Sequence, residues 1–304
     1  MTVEAAAYRA CAVLPAEPGV YRFRDSRGRV MYVGRASNLR ARTRSYWGDL
    51  TGRRHLRRMV PQIVSVEALV CASVHEAGWL ERNLLERSLP RWNRARGGQE
   101  IPAWLELRGQ PRRAGLDLLR AASDTAAGPY LGTERARAAR NGLLRAWPLH
   151  LTGDRMNSVD RDLAEVRGVG PEQLGSHVTM IGQVLRRDDD ALRQCLGLLE
   201  AARDRAAANL GFEIAQRIHE EMAAVRWVAS PQRVTGALPE GLVVVGRAEG
   251  ITVRLTAGKG RLDRWSVESS AGSEHLPDHT PKQWQEFART NALLAAALNA
   301  AHRR

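Results

Sequence analysis

Two tyrosines, Tyr21 and Tyr32, flank a turn in the stretch GVYRFRDSRGRVMYVGRA, residues 19–36, with arginines crowded around them. A phenol is a poor base at its reference pKa of about 10, and a nearby cation lowers that value. Arg35 and Arg42 follow closely and carry fixed positive charge suited to phosphate oxygens. A single carboxylate such as Glu81 can hold one Mg²⁺ or Mn²⁺ that keeps most of its waters. A base, a cationic field and a hard-metal ligand are the parts that phosphodiester cleavage needs. Taken singly, the same residues read as half-buried strand tyrosines, solvated arginines and a helix-surface carboxylate. Asn93 alone reads as a turn residue after Pro90.

The elements that must position these groups follow from local pattern. Gly19-Val20-Tyr21 and Tyr32-Val33-Gly34 lie in apolar, strand-like runs, and Asp25-Ser26-Arg27-Gly28 joins them as a hairpin turn. A helix is predicted from Ser37-Asn38, with the asparagine as cap, carrying Leu39, Arg40, Arg42 and Tyr46. A second basic helix is predicted over Arg53–Val60, then a strand over Ile63–Val70. Residues 75–93 read as a helix through Trp79, Leu80, Asn83, Leu84 and Arg87, ended by Pro90.

Beyond residue 99 helical patterns appear at Leu116–Ala122 and Glu134–Trp147; 151–175 are polar and 176–190 hold a short apolar run. Within them VRGVGPEQL (166–174) carries the Gly-hydrophobic-Gly turn of a helix-hairpin-helix, in a single short copy that reads better as a plain loop. From Ala191 to Trp227 an alanine-rich pattern broken at Asn209–Phe212 predicts a helical hairpin. After Ser230-Pro231 the period changes to two, giving three short strands with glycine turns. Thr280-Pro281-Lys282-Gln283 has capping-box spacing before a C-terminal amphipathic helix. HLPDH (275–279) could pair metal ligands but abuts that cap and reads as loop.

The 304 residues carry a net charge of +13, and residues 1–100 hold 18 arginines against 9 acidic residues. Such a surplus attracts polyanions, nucleic acid above all. No apolar run approaches the roughly 18 residues needed to cross a bilayer, so no membrane partner is expected. Cys11, Cys71 and Cys195 are far apart and odd in number, which suits a reducing cytoplasm and cannot supply a four-thiolate site.

The stretch LPAEPGVYRFRDSRGRVMYVGRASNLRARTRSYW resembles the N-terminal GIY-YIG nuclease domain of UvrC-type excinuclease subunits. Its signature tripeptides read GVY and YVG here. The pattern continues through Arg35, Asn38-Leu39, Arg42 and Ser45-Tyr46, then Glu81 in LERNLLE and Asn93 in LPRWN. The resemblance implies an α+β fold: a small antiparallel sheet with flanking helices. It makes Tyr32 the base, has Tyr21 orient water or phosphate, gives Glu81 one Mg²⁺ or Mn²⁺, has Asn93 fix the geometry, and places Arg35, Arg42 and Tyr46 in the same site. Arg35 stands where lysine is usual, which suffices for a fixed charge but not for a group that must lose a proton.

The resemblance then weakens. GPYLGTERARAARNGLLRAWPL (128–149) is similar to the family's connector, but the cysteines that follow there are absent, so no iron–sulfur cluster is expected. Residues 199–226 resemble the UVR helical hairpin through which such proteins bind UvrB, with Leu210, Phe212 and Glu213 at the contact. The expected organisation is a nuclease domain at 13–96, a helical connector at 97–190, a UVR-like hairpin at 191–228, and short strands plus a helix at 229–304. That last segment is expected as a remnant of the family's RNase H-like domain, its Asp263, Glu268 and Asp278 forming no carboxylate cluster, in a truncated homologue with one nuclease site. The implied function is metal-dependent incision of one strand of damaged double-stranded DNA, on the 3′ side, in nucleotide excision repair. The alternatives are a non-enzymatic adaptor binding DNA and a repair partner, and a nuclease acting on RNA or transposon-type DNA.

Overall fold

Asp25 reverses the chain after its first strand. Its Oδ1 accepts from the backbone N–H groups of Arg27 (2.9 Å) and Arg29 (3.0 Å), and Gly28 adopts φ +71°. The hairpin so closed joins β1 (Gly19–Arg24) to β2 (Val30–Ala36), and β3 (Ser65–Val70) pairs with the other side of β1. All pairings are antiparallel. The computed structural model describes residues 3–48, 50, 55–97, 100–154, 156–234, 238–269 and 280–303.

The predicted helix after the hairpin is α2 (Leu39–Arg44), where Asn38 Oδ1 accepts from Ala41 N at 2.9 Å. A second helix, α3 (Val74–Arg87), is capped by Ser73, which accepts from Glu76 N at 3.0 Å, and stops ahead of Pro90. The basic helix expected over 53–60 is not formed in its described part. Residues 53 and 54 lie outside the described residues, and from His55 the chain makes short turns ending in a 3₁₀ turn at Val60–Gln62. Pro61 lacks a backbone donor and disfavours α-helical dihedrals at the residue before it. An N-terminal helix, α1 (Val3–Val13), was not expected; its buried residues Ala7, Ala10 and Cys11 recur at helical spacing but are too small to stand out.

Residues 1–99 and 232–304 form one compact unit, and 100–231 a second. The segment expected to stand apart at 229–304 therefore shares the unit of the first sheet. It supplies the antiparallel meander β7 (Val243–Ala248), β8 (Ile251–Gly258) and β9 (Arg261–Ser269), and a helix at Lys282–Arg303. That helix covers the outer edge of β3. Asn291 Oδ1 accepts from Val70 N (2.7 Å) and its Nδ2 donates to Val70 O (3.2 Å), while Val66 N donates to His302 Nε2 (3.2 Å). An edge strand that would otherwise invite pairing is thereby closed. Thr280 does not cap the helix as its spacing predicted: its hydroxyl accepts from Val245 N and donates to Val245 O, tying the helix entry to β7. Residues 275–279 lie outside the described residues.

The second unit is not the all-helical connector expected. It opens with a three-stranded antiparallel sheet of β4 (Pro102–Arg108), β5 (Gly115–Leu119) and β6 (Ala126–Leu131), with β4 central. The pattern at Leu116–Ala122 reads as helix or strand in so short a run; pairing of Leu116 with Leu107 and Leu118 with Leu105 decides for strand. Helices follow at Thr133–Ala146, Ser158–Arg167 and Leu174–Leu185. The Gly168-Val169-Gly170 turn does join two helices, yet its amides are consumed internally. Gly168 N donates to Glu165 O, Val169 N to Ala164 O and Gly170 N to Gln173 Oε1. It offers no amide to a phosphate. The predicted helical hairpin is present as Asp189–Ala208 and Phe212–Val228. Its inner face joins the unit's core through Cys195, Leu199, Ile218, Met222 and Val225.

Candidate active site

Cross-strand register explains why each signature pairs a glycine with a tyrosine. Tyr21 faces Gly34, Phe23 faces Tyr32, and Gly19 faces Ala36. A Cβ at Gly34 would lie 2.6 Å from the Tyr21 hydroxyl and 2.8 Å from the Tyr32 ring; one at Gly19 would lie 2.2 Å from Leu69 O. Each glycine clears the space its neighbouring phenol or strand occupies. Gly34→Ala is expected to displace Tyr21 and cost about 1–3 kcal/mol by overpacking, read as a lower melting temperature. An unchanged melt would show that Tyr21 yields without cost.

Tyr21, Tyr32 and Tyr46 gather around Phe23, with ring centroids 5.0–6.3 Å apart. Phe23 was not singled out in the sequence, although its place two residues after Tyr21 puts it on the same face. Tyr21 and Tyr46 share a hydroxyl–hydroxyl bond of 2.7 Å and are buried, whereas Tyr32 keeps part of its surface open. Tyr21 is buried, and its hydroxyl meets Tyr46 and the Arg42 guanidinium rather than solvent, so a role in orienting water or phosphate runs through those two side chains. The Arg42 guanidinium stands 5.7 Å from the Tyr46 ring centre.

The cation does not lower the phenol pKa values as expected. Burial pushes Tyr32 well above the ordinary tyrosine value; Tyr46 and the Glu81 carboxylate add to this, and Arg42 opposes it without prevailing. Burial raises Tyr21 and Tyr46 likewise. With only the chain's own charges present, all three are neutral phenols at neutral pH.

β2 carries Arg35 two residues beyond Val33, and its Nε lies 3.5 Å from Glu81 Oε2 on α3, both side chains partly exposed. Asn93 touches neither: its Oδ1 accepts from Val33 N (3.0 Å) and its Nδ2 donates to Val33 O (2.7 Å). It pins the edge of β2 between Tyr32 and Gly34, a positioning bond invisible to local pattern. Of the seven sequence-predicted residues, Tyr21, Tyr32 and Arg35 lie on the sheet, Arg42 on α2, Tyr46 in the 3₁₀ turn Ser45–Trp47 that follows it, Glu81 on α3 and Asn93 in the loop after α3. Leu210, Phe212 and Glu213 lie elsewhere, exposed at the tip of the hairpin in the other unit.

Among the described residues no group of three or more His, Cys, Asp or Glu side chains is placed to hold a metal. Glu81 is a lone carboxylate donor, partly open to solvent. That donor set fits a hard cation which keeps most of its waters and not one needing a protein cage.

Residues 17–94 match the family described as the UvrC-like GIY-YIG domain. Over longer alignments the chain is similar to UvrABC system protein C of Rhodococcus jostii, 30% identical over 95% of this chain and 44% of that protein. It is similarly related to that of Nocardia farcinica, 32% identical over 75% of this chain and 36% of that protein. The chain spans less than half the length of these curated relatives. Among solved structures it is similar to the GIY-YIG N-terminal endonuclease domain of UvrC from Thermotoga maritima, bound to its catalytic divalent cation, magnesium. Identity there is 32%, covering 28% of this chain and 93% of that one, with a TM-score of 0.26.

Proposed function

The chain belongs, through residues 17–94, to the UvrC-like GIY-YIG family, and we propose that it is a divalent-metal-dependent endonuclease that nicks one strand of damaged DNA in excision repair, on the 3′ side. One observation carries this reading: the only phenol of the cluster with open surface, Tyr32, has Arg42 and the Glu81 carboxylate as charged neighbours, and Glu81 in turn pairs with Arg35. Tyr32, in its minor deprotonated form, takes the proton of the attacking water. Arg35 and Arg42 meet the phosphate oxygens with fixed charge, and arginine serves at position 35 because no proton need leave it. Tyr21 and Tyr46, locked by their mutual bond, hold Tyr32 in place, and Asn93 holds the strand that carries it. Glu81 holds Mg²⁺ or Mn²⁺, which when bound supplies positive charge at the reacting phosphate. The free thiols of Cys11, Cys71 and Cys195 suit a reducing compartment such as the cytoplasm.

A second reading, an adaptor with an idle nuclease site, draws on the Arg35–Glu81 pair, which occupies the proposed metal ligand. Nicking of lesion-bearing duplex with Mg²⁺ or Mn²⁺, with and without a UvrB-type subunit, separates the two. Tight DNA binding without nicking under every condition would establish the adaptor.

The helical hairpin is the proposed seat of that partner. Leu210 is 76% and Phe212 66% exposed, and Ile214 and Leu198 extend the apolar surface beside a groove of about 470 Å³. The inner face is anchored within its own unit by the Arg145–Glu221 ion pair and the core, so the tip is spare for docking. Phe212→Ala is expected to weaken UvrB binding by about 2 kcal/mol or more while leaving the melting temperature unchanged. A large drop in melting temperature with no loss of pull-down would end the docking idea.

A further inference from the structure

We propose that a polar cleft on the face of α3 turned away from Glu81 binds a phosphoryl group, carried by a nucleic-acid strand or by a free nucleotide. Asn83 follows Glu81 by two positions, roughly 200° around the helix, and looks toward the β8–β9 hairpin. There a cleft of about 530 Å³ is lined by Asn83, Glu86, Arg87, Lys259, Arg261 and Asp263, all within one compact unit.

Asn83 is the residue that asks for a ligand. It is 1% exposed, and neither its Oδ1 nor its Nδ2 has a hydrogen-bond partner. Buried side-chain amides are almost always satisfied, so a fully orphaned one bordering a cavity marks a place for a polar guest. The charge around it decides the sign of that guest. The two carboxylates have cationic neighbours, Glu86 with Arg82 (2.9 Å) and Arg261 (3.3 Å), Asp263 with Arg87 (3.5 Å) and Arg264 (3.7 Å), and Asp263 Oδ1 itself accepts no hydrogen bond. Lys259 has no acidic partner among the described residues and is exposed at the rim. The lining holds three cations, Arg87, Lys259 and Arg261, against the two carboxylates, which leaves an anion-seeking field. Lys259 also sits at φ +53°, a left-handed conformation that non-glycine residues seldom adopt. Lysine is nearly absent from this arginine-rich chain, occurring only here and at Lys282.

A phosphoryl group fits these donors. The Lys259 ammonium offers a point charge and the Arg261 guanidinium charge-assisted bonds at the mouth, and the Asn83 amide donates from the floor. The cleft and the Glu81 face lie on opposite sides of one helix about 10 Å across. That span is about three nucleotide steps at 3.4 Å per step along a strand. A strand cut at Glu81 can therefore run on to place a further phosphate here. Only this nucleic-acid source rests on the endonuclease reading; the phosphate chemistry stands on the cleft itself.

The test is titration of inorganic phosphate into the full chain, following the Asn83 side-chain amide by ¹⁵N NMR, with Asn83→Leu identifying its signals. The expected result is a saturable shift whose affinity falls about tenfold in Lys259→Asn; asparagine tolerates the left-handed backbone, so this variant keeps its fold. No saturable shift up to tens of millimolar phosphate, or an unaltered titration in Lys259→Asn, would overturn the proposal. Repeating the titration with an oligonucleotide lacking terminal phosphates and with a mononucleotide distinguishes the sources. If the oligonucleotide moves the same signals, Lys259→Asn should raise KM for nicking with kcat unchanged. If the chain proves not to nick DNA, the phosphate titration still reads the cleft.

Discussion

Glu81→Ala and Tyr32→Phe are each expected to abolish nicking while leaving the fold intact. Losing the carboxylate proposed to hold the ion forfeits several kcal/mol of charge stabilisation at the phosphate, and every 1.36 kcal/mol is a factor of ten in rate. A loss of about a thousandfold or more follows for Glu81→Ala. Removing the Tyr32 hydroxyl takes away the proton acceptor, which typically costs about 10²–10⁴-fold. Neither change should melt the protein. The Arg35–Glu81 pair is long and partly exposed, and such pairs contribute about 1 kcal/mol or less; Tyr32→Phe leaves the ring stack against Phe23 in place. Burial also sets a pH signature. With the Tyr32 pKa raised, its deprotonated form is scarce at neutral pH, so the rate should climb with pH across about 6 to 9 as the base population grows. Nicking assays on defined duplexes, paired with thermal melts, check all of this. Undiminished cleavage by both variants would remove the chemistry from this face altogether.

The nuclease face was legible because its determinants are local. The turn at Asp25–Gly28, the alternation that sets Tyr21 opposite Gly34, and the Asn38 cap all act within a few residues. Roles that depend on burial were not. No pattern of residue types shows that Tyr21 is sealed while Tyr32 stays open, or that burial outweighs Arg42 at the phenols. The strand at Gly115–Leu119 was misread for a different reason. Five residues with three leucines satisfy either period, and only the partner strand resolves them.

The union of the tail with the nuclease sheet was the least legible feature, because its bonds join residues more than 150 positions apart. Its strongest joint gives the second large expectation: Arg233→Ala should destabilise this unit by about 3 kcal/mol. Glu76, at the start of α3, is fully buried. Arg233 meets it with Nε at 2.8 Å, Nη2 at 2.9 Å and its backbone N–H at 3.1 Å, and the guanidinium stacks over Phe287 and Trp284. Truncating the arginine strips the countercharge but leaves the carboxylate inside, which is the costly way to break such a pair. At about 2–4 °C per kcal/mol for a unit of this size, the melting temperature should fall by roughly 6–12 °C. The double variant Glu76→Gln/Arg233→Leu should recover much of that loss, since no charge is then stranded. Because α3 also carries Glu81, the single variant should lose nicking at temperatures the wild type tolerates and regain it on cooling. A melt of Arg233→Ala that overlays the wild type would mean that water reaches Glu76 and that the tail is held by its apolar contacts alone.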